Sequence, residues 1–169
     1  MAKISASANP ARTAAWRTGG TAAPTRSDAG VRAAIWACRA AFALVFAVNV
    51  HCALSFAVDP ASYAGGFELT GVAGEAATRG MGVAFLMWNC TYPLVIWRPA
   101  RHRALAGVVL AQQVVGLAGE TAILAGLPAD HAALAGGIMR FVAFDGFGLA
   151  VMAGAFAWLL LAERRCRER

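Results

Sequence analysis

The chain has 169 residues, 59% of them hydrophobic and 14% charged, with a formal net charge of +6. Soluble domains carry roughly a quarter charged residues, so this composition excludes an ordinary soluble globule and reads as a membrane protein. Lys and Arg sit between apolar runs and at the chain ends, without interleaved aromatics, which argues against a nucleic-acid surface.

Residues 1–30 are rich in Ala, Ser, Thr, Gly and Pro, carry scattered Arg12, Arg17 and Arg26, and show no apolar period. They read as a flexible basic tail. The Arg-rich composition also suits a transit peptide, but no amphipathic stripe supports that reading. Residues 31–162 read as one all-α domain, a four-span transmembrane bundle with short loops. The first span covers about 33–58 and stops at Asp59-Pro60, where the missing N–H ends the helix. It is too long for the apolar core of a signal peptide.

The second span, 75–97, follows a loop with Gly65-Gly66 and Gly71 as turn signals. Glu75 and Arg79 are four apart, spaced to pair along one face. Pro93 deprives the Asn89 carbonyl of its helical donor and predicts a kink. A basic turn, 98–103, leads to the third span, 104–127, which ends at Pro128. The fourth, 137–162, contains Arg140 and Asp145, and residues 163–169 form a basic tail. The cysteines, Cys38, Cys52, Cys90 and Cys166, are dispersed with no C-x-x-C, so neither a disulfide framework nor a zinc site is expected.

Loop charge sets an expected orientation. Basic residues concentrate in the two tails and the 98–103 turn, while the other two loops hold Asp59, Glu68, Glu75 and Asp130. The positive-inside rule puts both termini in the cytoplasm, with Trp36, Trp97 and Trp158 near the inner headgroups.

At 1.5 Å per residue, Asn49 and His51 of the first span, Glu120 of the third and Asp145 of the fourth fall within roughly 5 to 10 Å of the midplane, all on its outer side. Arg79 and Arg140 lie above them. The spans alternate in direction, so this common level predicts one polar pocket in the outer half of the bundle. Asn49 shares a stripe with Phe42 and Phe46, while His51 points nearly opposite, so only one of the two can face inward. Gln113, Gly116 and Glu120 share one face of the third span, and Gly146, Ala150 and Gly154 make a small-residue edge suited to close helix contact.

Two readings of this layer stay open. In one, Glu120 and Asp145 neutralise Arg79 and Arg140 in a static network. In the other, Asn49, His51, Arg79, Gln113, Glu120, Arg140 and Asp145 supply a ligand-binding or proton-exchanging site for the polar head of a quinone or lipid. A metal held by His51, Glu120 and Asp145 is disfavoured, because one His with two dispersed acids lacks an E-x-x-H pair. Asn89 and Tyr92 are expected to repair the backbone beside Pro93 rather than bind a ligand. A competing class is a structural subunit that meets membrane-protein partners through Gly146, Ala150 and Gly154.

The acid-then-Arg-Gly stretch Glu75-Ala-Ala-Thr-Arg79-Gly80-Met-Gly82, together with Gly119-Glu120 late in the third span, resembles the DoxX-like group of small four-helix bacterial membrane proteins. The resemblance implies a four-span bundle and a quinone-facing role beside redox proteins. It carries no catalytic motif onto this chain.

Overall fold

The computed structural model describes residues 26–168, all helix and loop with no strand among them. Helix α1 (Arg26–Val58) is followed by a short α2 (Ala61–Ala64) that runs into a 3-10 turn at Gly65–Phe67. Then come α3 (Gly71–Asn89), α4 (Tyr92–Trp97), α5 (Arg103–Gly126) and α6 (Ala132–Arg167). Four segments are long and apolar enough to cross a membrane: Asp28–Val58, Gly71–Trp97, Arg103–Gly126 and Ala132–Arg167. The all-α, four-span architecture is therefore present.

Helix ends depart from the sequence expectation for local reasons. Residues 26–30, expected in the tail, already belong to α1, whose first turn carries Asp28, the sign of charge that a helix N-terminus favours. Residues 1–25 of that tail lie outside the described residues. Helix α3 starts at Gly71, four residues early, after an extended Thr70, with Gly71 in the left-handed region at φ 65°. Helix α6 runs straight through Gly136-Gly137. A Cβ at Gly137 would stand 3.2 Å from the Gly66 carbonyl, so the glycine admits the 3-10 turn against the helix.

The Pro93 kink is an outright break. Helix α3 ends at Asn89 and α4 begins at Tyr92 with Pro93 in its first turn. The local side chains fold back onto carbonyls near the break: Asn89 Nδ2 donates to Phe85 O at 2.8 Å and Thr91 Oγ1 to Trp88 O at 3.4 Å. Backbone repair is needed because lipid offers no water to satisfy a freed carbonyl.

Helix α1 is the centre of the bundle, packed on α3, α4 and α6, while α5 packs on α6 and meets α4. Helices α3 and α5 share no packed seam among the described residues and come together where the Trp88 ring lies over Gly116. The half of the bundle near the basic turn is solid: Phe42, Val45, Tyr92, Val109, Met152 and Leu159 are buried in one apolar cluster. This basic end is tied by an Arg103–Glu163 ion pair and by Arg39, whose Nη2 donates at 2.7 Å to Trp97 O at the end of α4. Trp36, Trp97 and Trp158 are exposed around it. Large apolar side chains such as Met87, Val115, Ile123 and Phe147 point outward, as a lipid-facing surface requires.

The seam of α6 against α1 runs through Gly148 and Met152, both buried, with Gly148 placed so that a Cβ would meet Val45 at 3.2 Å. The expected Gly146/Ala150/Gly154 edge lies to one side of it. Gly146 faces Leu117 of α5, whereas Ala150 and Gly154 are exposed.

The tightest approach is α3 on α1. A Cβ on Gly82 would stand 2.6 Å from Ala53 O and 2.8 Å from Ala57 N, both backbone atoms, whereas Gly80 faces open space. Overpacking of this kind costs about 1–3 kcal/mol, which outweighs the roughly 1 kcal/mol that Gly-to-Ala returns in a helix. Gly82→Ala is thus expected to lower the thermal unfolding midpoint in detergent, and Gly80→Ala to leave it unchanged or raise it.

Candidate functional site: an acidic, aromatic cavity

The end opposite the basic turn is hollow. A cavity of about 620 Å³ lies among α1, α3, α5 and α6, within the range of small-molecule sites. Its roof is the loop after α1, through Ser62, Tyr63, Gly66 and Phe67. Its walls are aromatic: Phe56, Phe85, Trp88, Phe141 and Phe144. Phe56 is the hinge of this set, with its ring centroid 5.5 Å from that of Phe67, 6.2 Å from Phe85 and 6.3 Å from Phe141. The apolar cluster of the basic half closes the bottom. The absent α3–α5 seam leaves that side of the cavity without a helix-to-helix closure.

Five of the seven residues proposed from sequence line this one cavity: Asn49, Gln113, Glu120, Arg140 and Asp145. Spacing explains why. Gln113, Gly116 and Glu120 lie on one face of α5 and all reach the cavity, while Asn49 is the inward member of the Asn49/His51 pair. His51 is exposed on the far side of α1. That position also dissolves the His51/Glu120/Asp145 combination; no group of three His, Cys, Asp or Glu able to hold a metal occurs among the described residues.

Arg79 is the second exception. It is exposed, and its Nε donates at 3.2 Å to Ala57 O in the last turn of α1, where a cation complements the helix dipole. No Glu75–Arg79 ion pair forms. The Arg-Gly stretch singled out in the sequence is therefore a clamp: Arg79 grips the end of α1 while Gly82 lets the two backbones touch.

The static network of Glu120 and Asp145 with Arg79 and Arg140 is absent. Among the described residues no basic side chain lies within ion-pair distance of either acid. Arg79 is held elsewhere, and Arg140 stands five residues, about 7.5 Å of helix rise, from Asp145 toward the roof. In place of a counter-charge, Asp145 has an amide. Tyr92 Oη donates to Gln113 Oε1 at 3.3 Å, and Gln113 Nε2 donates to Asp145 Oδ1 at 2.8 Å. Gly116 makes room for the other carboxylate oxygen, since a Cβ there would stand 3.2 Å from Asp145 Oδ2. Glu120 Oε2 is buried without a hydrogen-bond partner, as is Asn89 Oδ1.

Sequence reasoning assigned Asn89 and Tyr92 to backbone repair and did not name the aromatic walls; Tyr92 bonds Gln113 instead. Asn89 does bond to its own helix, as expected, but with its amide nitrogen only, which leaves its oxygen free at the cavity. The signal for the walls was available in the depth of the phenylalanines, which matches that of the acids.

Comparison with protein families, with curated proteins and with solved structures returns no match.

Glu68 pins the roof to α6 by hydrogen bonds. This residue, in the left-handed region at φ 56°, accepts a hydrogen bond from His131 Nδ1 and, through Oε1, from Leu134 N at 3.2 Å. It thereby caps the first turn of α6 from another part of the chain. The His131 bond, followed by the Leu134 N–H, holds the Glu68 carboxyl below its ordinary value. A lowered carboxyl favours the folded roof above the ordinary glutamate range, and the contribution disappears as pH falls through the lowered value. Amide exchange at 60–69 is expected to quicken on acidification across that window. Glu68→Gln should show the quicker exchange already at neutral pH and lose the pH dependence.

Proposed function

We propose that this is a multi-pass membrane protein that binds the polar head of an amphipathic molecule in the acidic, aromatic cavity, with Glu120 and Asp145 as its polar contacts and Arg140 nearer the roof. The carrying observation is a roomy cavity with two carboxyl groups and no basic partner for either. A purely structural network would have neutralised them, because a buried carboxylate left unpaired is costly. The apolar walls suit the attached hydrocarbon, and the unsealed α3–α5 side suits entry from lipid. The solid basic half argues against a through-going channel.

Orientation is part of the proposal. The basic turn and Cys166 are cytoplasmic by the positive-inside rule, in a bacterial inner membrane, and the cavity opens in the outer half of the bilayer. Under the DoxX-like resemblance the molecule would be a quinone beside a redox partner; otherwise it is a lipid headgroup. A subunit reading draws on a different feature, the exposed Ala150/Gly154 edge of α6, where a Cβ on Gly154 would meet nothing. There Gly154→Leu would abolish co-purification of a partner without touching cavity occupancy.

Two outcomes check the main reading. Mass spectrometry of the protein purified from membranes is expected to find a bound amphiphile whose occupancy falls in Glu120→Gln and Asp145→Asn; unchanged occupancy would sink the proposal. A membrane-impermeant maleimide is expected to modify the exposed Cys166 only after the cytoplasmic face is opened.

A further inference from the structure

Hydrogen bonding inside the cavity has a direction. Gln113 can be oriented only one way, because a carboxylate oxygen accepts and never donates, so its amide nitrogen must face Asp145 and its oxygen Tyr92. Asn89 is fixed by the same logic, since the Phe85 carbonyl can only accept. Each amide thus commits an N–H to a protein acceptor. Two buried acceptors at the cavity, Asn89 Oδ1, on a residue only 3% exposed, and Glu120 Oε2, have no partner, and Asp145 Oδ2 lies beside Gly116. The one donor of positive charge among the lining residues, Arg140, is nearer the roof.

We infer that the head bound in this cavity is a protonated amine, so that the ligand is a cationic amphiphile whose N–H groups fill these acceptors. The inference rests on the cavity being a binding site and names the class of molecule it takes. A primary ammonium answers two needs together. Its positive charge supplies the counter-ion that Glu120 and Asp145 lack, and its three N–H donors match the acceptors left open. Phe85, Trp88, Phe141 and Phe144 then present ring faces and edges around it, and a cation over an aromatic face is held further by the ring quadrupole. A quinone carbonyl, a phosphate or a carboxylate would set acceptor against acceptor and leave buried groups unbonded. A quaternary ammonium would satisfy the charge but not the lone pairs.

The test uses the full chain in phosphatidylcholine nanodiscs, titrated in turn with dodecylamine, dodecyltrimethylammonium, dodecanol and a decyl benzoquinone. Binding is read from fluorescence of Trp88, with Trp88→Phe subtracting the other tryptophans and bulk partition. Dodecylamine is expected to bind most tightly, ahead of the quaternary ion, and Glu120→Gln or Asp145→Asn to weaken it about tenfold or more while leaving dodecanol unaffected. Equal or tighter binding of dodecanol or the benzoquinone would overturn the inference and leave the cavity reading standing. Failure of every probe to displace or occupy the site would count against both. Selectivity among the four probes is read without the Glu120 and Asp145 variants, so a misfolded substitution there does not blunt the result.

Discussion

Gln113 offers its oxygen to Tyr92 and its amide to Asp145, and the halves of the molecule divide at that chain of bonds. Below it lies the packed cluster around Phe42 and Met152; above it lies the cavity. A bilayer supplies no water to satisfy a polar side chain, so an Asp in the fourth span must find its partner inside the bundle. Gln113, only 3% exposed, is that partner. Because it is neutral, it orients one carboxyl oxygen and supplies no counter-charge.

The rest of the fold serves to hold this boundary open on one side. Helix α1 must stay close to α3 and α6 for the cavity to keep its walls, and Gly82 and Gly148 allow both approaches. Arg79, an apparent candidate for the site, secures α3 to the end of α1 through a backbone carbonyl. Glu68 does the corresponding task at the roof, joining the loop after α1 to the first turn of α6. The result is a hollow with fixed walls and a pinned roof, whose interior carries carboxyl groups that no basic side chain among the described residues pairs with.

The uncompensated acids are what support the proposed binding site over a scaffold. A scaffold would gain register from buried ion pairs, and their expected absence of chemistry would follow from full satisfaction. Here satisfaction stops one bond short at Glu120 and Asn89, both beside the same space, and Asp145 there has an amide but no cation. Buried groups left in that condition are costly alone and inexpensive once a ligand meets them, which links the local electrostatics to binding rather than to packing.

Much of this was legible in one dimension. Apolar run length and the breakers Pro60, Pro93 and Pro128 determine four spans, loop charge determines which ends carry the basic residues, and helical rise puts Asn49, Glu120 and Asp145 at one level. Spacing alone even selects Gln113, Gly116 and Glu120 as one face. Depth and facing are one-helix properties, written in 1.5 Å and 100° steps. What a side chain touches is not such a property. That Arg79 turns to α1 and not to the acids, that α6 docks through Gly148 rather than the Gly146/Ala150/Gly154 edge, and that α3 and α5 stand apart depend on how four helices rotate and close on one another. Only the tertiary structure could decide them, since each is settled by the few ångströms between neighbouring backbones.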